Sequence, residues 1–310
     1  AISGKTGYDL GRGMALALLS RTSYTVVNRT KADSLLQQAD NMNKVINDKD
    51  LTAYILYVRA ANTNTFQAQL PKYLEAAEAL SKTNNKRTLA SCYNSIVLIY
   101  QQYLSDYPKA MEYCMKALEA AEASNDLASL IYTWEGLGGL YTVLGDYETA
   151  LMYLGKAAIA NKEYGNARIE SLIQTDMGEC YRITGKYPEA IHAYMEALKL
   201  DDNLYSFSID KSNLADVYTR SNNLPLAFHY AFSSLAKQYE DKSNDNTPWI
   251  FGILSRAYLK KQMPDSAVYY GRLGLDTAII QGTIEYMRDN ALALANAYAY
   301  KNNFVQAYHY

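Results

Sequence analysis

Three sets of residues have types that could do chemistry. His192, His229 and His309 each stand two residues after a recurring alanine, Ala190, Ala227 and Ala307. Equal registers in a repeating chain suggest a metal ladder. Zinc, however, needs its ligands about 2.0–2.1 Å from one ion, and neighbouring helix axes lie roughly 8–10 Å apart. Solvated histidines on an outer face are the expectation, with no metal. Gly4-Lys5-Thr6 could end a phosphate-binding loop. That motif needs a glycine five residues earlier and a preceding strand, whereas Tyr8-Asp9-Leu10-Gly11 follows and looks like the start of a repeat. Cys92, Cys114 and Cys180 form no CxxC pair and have no base nearby in sequence, so they are expected to be small buried hydrophobes. HExxH, GxSxG and paired-carboxylate arrangements are absent from the sequence. The chain is therefore expected to be no enzyme and to use no cofactor.

The elements that would position any other chemistry are set by repetition. Tyr100, Tyr141, Tyr181, Tyr218, Tyr258 and Tyr298 follow one another at intervals of 41, 40, 37, 40 and 40 residues. Nine residues after most of them stands an alanine: Ala150, Ala190, Ala227, Ala267 and Ala307, with Ala110 one residue late. Cys114, Leu154, Tyr194 and Ala231 come four residues after those alanines, and Ala117, Ala157, Ala197 and Ser234 three further on. These spacings mark one face of each of two successive helices at a 3.6-residue period. Small residues let the two helices approach closely, and the tyrosine fills the space above them. Pro108, Pro188 and Pro225 fall where the second helix starts, a position that tolerates a missing N–H. Asp106, Asp146, Asn223 and Asn303 stand just ahead, where a side-chain oxygen can cap it. Asn84-Asn85-Lys86, Ser124-Asn125-Asp126, Gly165-Asn166 and Ser243-Asn244-Asp245-Asn246-Thr247-Pro248 read as turns between units.

Composition agrees with a packed helical chain. Of 310 residues, 49% are hydrophobic and 20% charged, which excludes disorder. The net charge of -2 advertises neither nucleic acid nor an anionic membrane. The longest N-terminal apolar run, Met14 to Leu19, is too short for a membrane span of roughly 20 residues. It is also shorter than a signal-peptide core of roughly 7–15 residues. Tyrosine numbers 30, and fourteen of these occupy recurring repeat positions, so structure accounts for much of the excess.

The run Trp134-x2-Leu137-Gly138-x2-Tyr141…Ala150 resembles the tetratricopeptide repeat. The resemblance is clear over 88–310. It departs from the family in unit length, about 40 residues against the usual 34, and in lacking the closing proline. It implies an all-α, right-handed superhelical solenoid of antiparallel helix pairs. One domain over 1–310 is expected. Clear repeats fall at 88–127, 128–167, 168–206, 207–246 and 247–287. Degenerate ones fall at 8–48, with Tyr24, Ala32, Leu36 and Ala39 in register, and at 50–86, where Pro71 should disturb the second helix. An incomplete one falls at 288–310. Long units of this kind resemble the sensor arrays of bacterial signalling proteins, and both chain ends look cut.

In the resembled family the first helix of each pair lines a concave groove. Carried over position by position, the groove residues here are Asn94, Glu135, Glu179, Arg182, Asp216, Arg220, Trp249, Arg256, Lys260 and Asn296. Glu135, Glu179 and Asp216 would make an acidic stripe, with Arg182, Arg220, Arg256 and Lys260 as a basic one beside it. Pairing within the chain, such as Arg220 with Asp216 four residues apart, is the plainer reading. The Lys and Asn set by which family co-chaperones hold a terminal carboxylate is missing. The implied function is a non-catalytic protein- or peptide-binding segment of a larger bacterial signalling protein. A freestanding adaptor, or a solenoid binding a small molecule or glycan at Trp249, are the alternatives. No nucleic acid is expected as a partner of this segment. Unpaired cysteines suit the cytoplasm, and an Ala1 left by a removed leader would suit the periplasm.

Overall fold

The computed structural model describes residues 2–24, 28–200, 204–240 and 245–310. Ser243 and Asn244, part of one expected turn, lie outside them. The described residues are helical and contain no strand. They group into two compact units, Ala1–Tyr164 and Gly165–Tyr310. The first holds α1 (Ile2–Ser23), α2 (Arg29–Ile46), α3 (Lys49–Ala61), α4 (Phe66–Ser81), α5 (Lys86–Leu98), α6 (Tyr107–Ser124), α7 (Leu127–Leu144) and α8 (Tyr147–Tyr164). The second holds α9 (Ala167–Ile183), α10 (Tyr187–Leu200), α11 (Leu204–Arg220), α12 (Leu224–Glu240), α13 (Thr247–Lys260), α14 (Pro264–Gln281), α15 (Ile284–Tyr300) and α16 (Phe304–His309). Consecutive helices pack as pairs within each unit, in agreement with the all-α helix-pair architecture. Gly4-Lys5-Thr6 lies inside α1, so no phosphate loop exists there.

Local chemistry sets the helix limits. The carboxylate of Asp106 accepts from Lys109 N–H at 3.2 Å, and that of Asp146 from Thr149 N–H at 3.1 Å. Asn303 does the same for Gln306 at 3.2 Å, and Asn223 for Leu226 at 3.4 Å. Each satisfies one amide that the first helical turn leaves open. At the other end, α7 stops where Gly145 takes φ 82°, a left-handed conformation that suits glycine. Pro71 does not disturb α4. The helix runs through it from Phe66 to Ser81, with Tyr73, Ala76, Ala77 and Leu80 buried on the far side. That burial outweighs the one backbone hydrogen bond a proline removes.

The recurring small residues make the contact within each pair. Ala150, Ala157, Ala190, Ala197, Ala227 and Ala231 are completely buried. Gly138 lies under Leu154, where an added Cβ would stand 2.5 Å from its Cγ. Above these contacts the recurring tyrosines stack in twos. Tyr100 lies on Tyr113, Tyr141 on Tyr153, Tyr218 on Tyr230, Tyr258 on Tyr270 and Tyr298 on Tyr310. Their centroids are 5.2–5.9 Å apart and the rings are within 16° of parallel. Offset stacks of this kind add to simple area burial.

One pair departs from this register. Between Tyr100 and Ala110 the chain has one residue more than in the other repeats. The helix absorbs it as a π-helical turn over Ile99–Tyr103 that continues α5. The wider turn takes in the extra residue without rotating Tyr100 off Tyr113. The cysteines are all buried, and burial pushes the Cys92 and Cys114 thiols up to about 12, which keeps them in the inert thiol form. His192, His229 and His309 are exposed.

Gly178 gives the direct test of close packing. An added Cβ would meet the buried Tyr194 ring at 2.7 Å. Gly178→Ala is expected to lower stability by about 1–3 kcal/mol, although alanine favours a helix interior by up to about 1 kcal/mol. Chemical denaturation of the two proteins measures the difference.

Candidate functional site

The second unit brings seven of the ten expected groove residues onto three helices. Glu179 and Arg182 belong to α9, Asp216 and Arg220 to α11, and Trp249, Arg256 and Lys260 to α13. Polar bonds among these helices and from α15 hold their register. Thr175 Oγ1 donates to Asp210 Oδ1 at 2.9 Å, tying α9 to α11. Asn246 Nδ2 donates to Ser212 Oγ at 2.7 Å, tying the start of α13 to α11. Asn290 Nδ2 donates to Pro248 O at 3.0 Å, tying α15 to α13.

Asp216 is the hub. Its side chain is fully buried. Oδ2 accepts from Arg182 Nη1 at 2.9 Å and from Arg220 Nε at 2.6 Å. Oδ1 accepts from Arg256 Nη2 at 2.9 Å. One carboxylate thus joins α9, α11 and α13. Burial alone would push its carboxyl up, but the Arg256, Arg220 and Arg182 guanidiniums overcome that and hold it below the usual carboxylate range. Glu179 grips Arg182 with both oxygens, at 2.8 and 2.5 Å, and accepts from Tyr194 Oη at 3.0 Å. Burial opposes the Arg182 charge, yet Glu179 and Asp216 raise its pKa above the ordinary guanidinium value. Burial, then Glu179, drives the Tyr194 phenol well above its usual value, so it stays a donor.

Trp249 is half-buried. The Arg256 guanidinium carbon lies 5.2 Å and that of Arg182 5.9 Å from its ring centroid, and Tyr286 stacks at 6.3 Å. Both cations are within cation–π range. Lys260 Nζ donates to Thr219 O at 2.8 Å and Arg220 O at 3.1 Å, carbonyls at the end of α11. A cation there also suits the helix dipole.

Of the expected acidic stripe in this unit, Asp216 is fully buried and Glu179 is a third exposed, and both are engaged within the chain. Asp216 is spent on three arginines and Glu179 on Arg182 and Tyr194. The plainer reading, pairing within the chain, holds for Arg220 with Asp216. Asn296 is exposed on α15 and is not joined to the network by a hydrogen bond. Asn94 and Glu135 belong to the first unit, where Asn94 Nδ2 donates to Thr133 Oγ1 at 3.1 Å, linking α5 to α7. Tyr194 escaped sequence reasoning because it sits at a packing position of α10. Its hydroxyl reaches Glu179 only because Gly178 leaves the ring room. Two open clefts, of about 700 Å³ beside Tyr298 and Tyr308 and about 450 Å³ beside Leu16 and Met42, are lined by none of the residues of this cluster. Among the described residues no group of three or more His, Cys, Asp and Glu is placed to hold a metal. None of the described helices is long and apolar enough to cross a membrane.

A family profile described as tetratricopeptide repeat matches residues 127–203. The apo quorum sensor NprR from B. thuringiensis is similar, with 16% identity and a TM-score of 0.69, over 95% of this chain and 84% of that one. Aspartyl phosphate phosphatase F from Bacillus subtilis is 15% identical, with a TM-score of 0.67, over 90% and 73%. The Rap conjugation gene regulator of the plasmid pLS20, in complex with the Phr* peptide, is 14% identical, with a TM-score of 0.66, over 98% and 92%. At these identities the likeness is one of fold.

Removing the hub leaves three guanidiniums crowded without their carboxylate. Asp216→Ala is expected to cost about 3–5 kcal/mol, the usual effect of breaking a buried pair from one side. Because the native carboxyl titrates below its unfolded value near 3.8, its contribution is complete above that pH. It is lost as pH falls from there through the depressed native value. Urea midpoints of wild type and Asp216→Asn should therefore converge on the acid side of pH 4.

Proposed function

We propose that this tetratricopeptide-repeat protein is a non-catalytic peptide- or protein-binding segment of a bacterial signalling or regulatory protein. Its contact surface is the face of α9, α11 and α13 around Trp249, together with the exposed Asn296 of α15. Asn94 and Glu135 take the corresponding positions of the first unit. Similarity of fold to a quorum sensor and to a regulator whose structure holds a peptide supports the reading. The observation that carries it is the state of Trp249. A half-buried indole lies within cation–π range of two arginines whose own places are set by Asp216 and Glu179. A side chain already ordered in this way loses little freedom on binding. Tryptophan and arginine are also the residues that most often carry binding energy at interfaces.

Display of a random peptide library against the purified chain tests the proposal. Selected peptides should bind wild type and lose about 10-fold or more in affinity on Trp249→Ala, a loss typical of an anchoring aromatic. Binding should also change the fluorescence of Trp249 in a Trp134→Phe background. Peptides indifferent to Trp249, or no peptides at all, would overturn it.

A further inference from the structure

The cluster around Asp216 holds more positive charge than it consumes. Glu179 and Asp216 pair with three cations, Arg182, Arg220 and Arg256, and a fourth, Lys260, sits on the carbonyls of Thr219 and Arg220. Both carboxylates are engaged within the chain, although Glu179 is 33% exposed. Asp216 is fully buried and ligated on both oxygens, and both oxygens of Glu179 are taken by Arg182, with Tyr194 adding to one. The cations differ. Arg182 is only 11% exposed and doubly engaged, whereas Arg220 is 42% exposed. Arg220 spends Nε on Asp216, and its two terminal amino groups donate to no described residue. Its guanidinium is thus oriented by one buried bond while its terminal donors remain unused. On the same hub, Arg256 is 29% exposed and lies over Trp249.

We infer that Arg220, backed by Arg256, binds a carboxylate of the peptide, next to an apolar side chain of that peptide packed on Trp249. The inference rests on the peptide-binding reading and deepens it by stating the ligand class, an acidic-apolar segment. A guanidinium fork matches a planar carboxylate through two parallel N–H···O bonds. Asp216 acts as a positioning residue, since it aims Arg220 without touching the ligand. The carboxylate would come from an Asp or Glu side chain or from the peptide's C-terminus, which share this chemistry.

The test uses the peptides selected on the whole chain. Each is synthesised with its Asp and Glu replaced by Asn and Gln one at a time, and with its C-terminus free or amidated. Dissociation constants are measured on wild type, Arg220→Gln and Arg220→Lys. Loss of one carboxylate should weaken binding about 10-fold or more, the scale of a charge-assisted bond. Which replacement does so identifies a side-chain or terminal source. Arg220→Gln should weaken the parent peptide equally, and the carboxylate-free peptide should lose nothing further on that variant. Arg220→Lys should recover only part, since it keeps charge without the fork. Should Arg220→Gln fail to fold, the peptide series on wild type decides alone. Peptides that still need Trp249 but ignore the loss of every carboxylate would overturn the inference and leave the peptide-binding reading standing. Peptides that ignore Trp249 as well would overturn both.

Discussion

Close approach between the two helices of each pair is the constraint on which the rest depends. It is allowed by alanine and glycine at recurring positions, where a single extra Cβ would meet a buried Leu154 or Tyr194. Small residues at the contact bury little area themselves. The bulk that replaces them comes from tyrosines stacked above, one from each helix of the pair. This division accounts for ten of the thirty tyrosines, which stand in the five stacked pairs. It also explains the π-helical turn at Ile99–Tyr103. An inserted residue is cheaper to absorb as a local bulge than as a rotation of Tyr100 away from Tyr113.

Between pairs, the first helices meet through polar side chains instead. Thr175, Asp210, Ser212, Asn246 and Asn290 fix their register with directional bonds. Asp216 extends the same logic to charge. Taking a carboxylate fully out of water costs several kcal/mol, which guanidiniums offset only with good geometry. Here three supply it. The consequence falls on the surface. Asp216 is withdrawn from the surface altogether and both oxygens of Glu179 are engaged by Arg182, while Arg220 stays 42% exposed. A network that is expensive to break also fixes the directions of its arginines, which is what the proposed contact surface would require.

Much of the architecture was legible in the amino-acid order. Helix pairing, the caps at Asp106, Asp146, Asn223 and Asn303, the buried cysteines and the exposed histidines all follow from spacing and residue type. These are local matters, governed by helical period and by amides that need an acceptor within three residues. Pro71 was misread because local backbone preference was outweighed by the burial of Tyr73, Ala76, Ala77 and Leu80 further along the helix.

The candidate site divides along the same line. Sequence alone determined which residues share a repeat position, and so assembled seven of the ten onto one group of helices. It also allowed the pairing of Arg220 with Asp216, because four residues make one helical turn. Only the tertiary structure decided that Asp216 is buried, that it binds Arg182 and Arg256 from residues 34 and 40 positions away, and that Tyr194 closes over Glu179. Burial and coordination number are properties of three helices packed together. No one-dimensional spacing carries them, because the energy of a charge depends on how much water its neighbours remove.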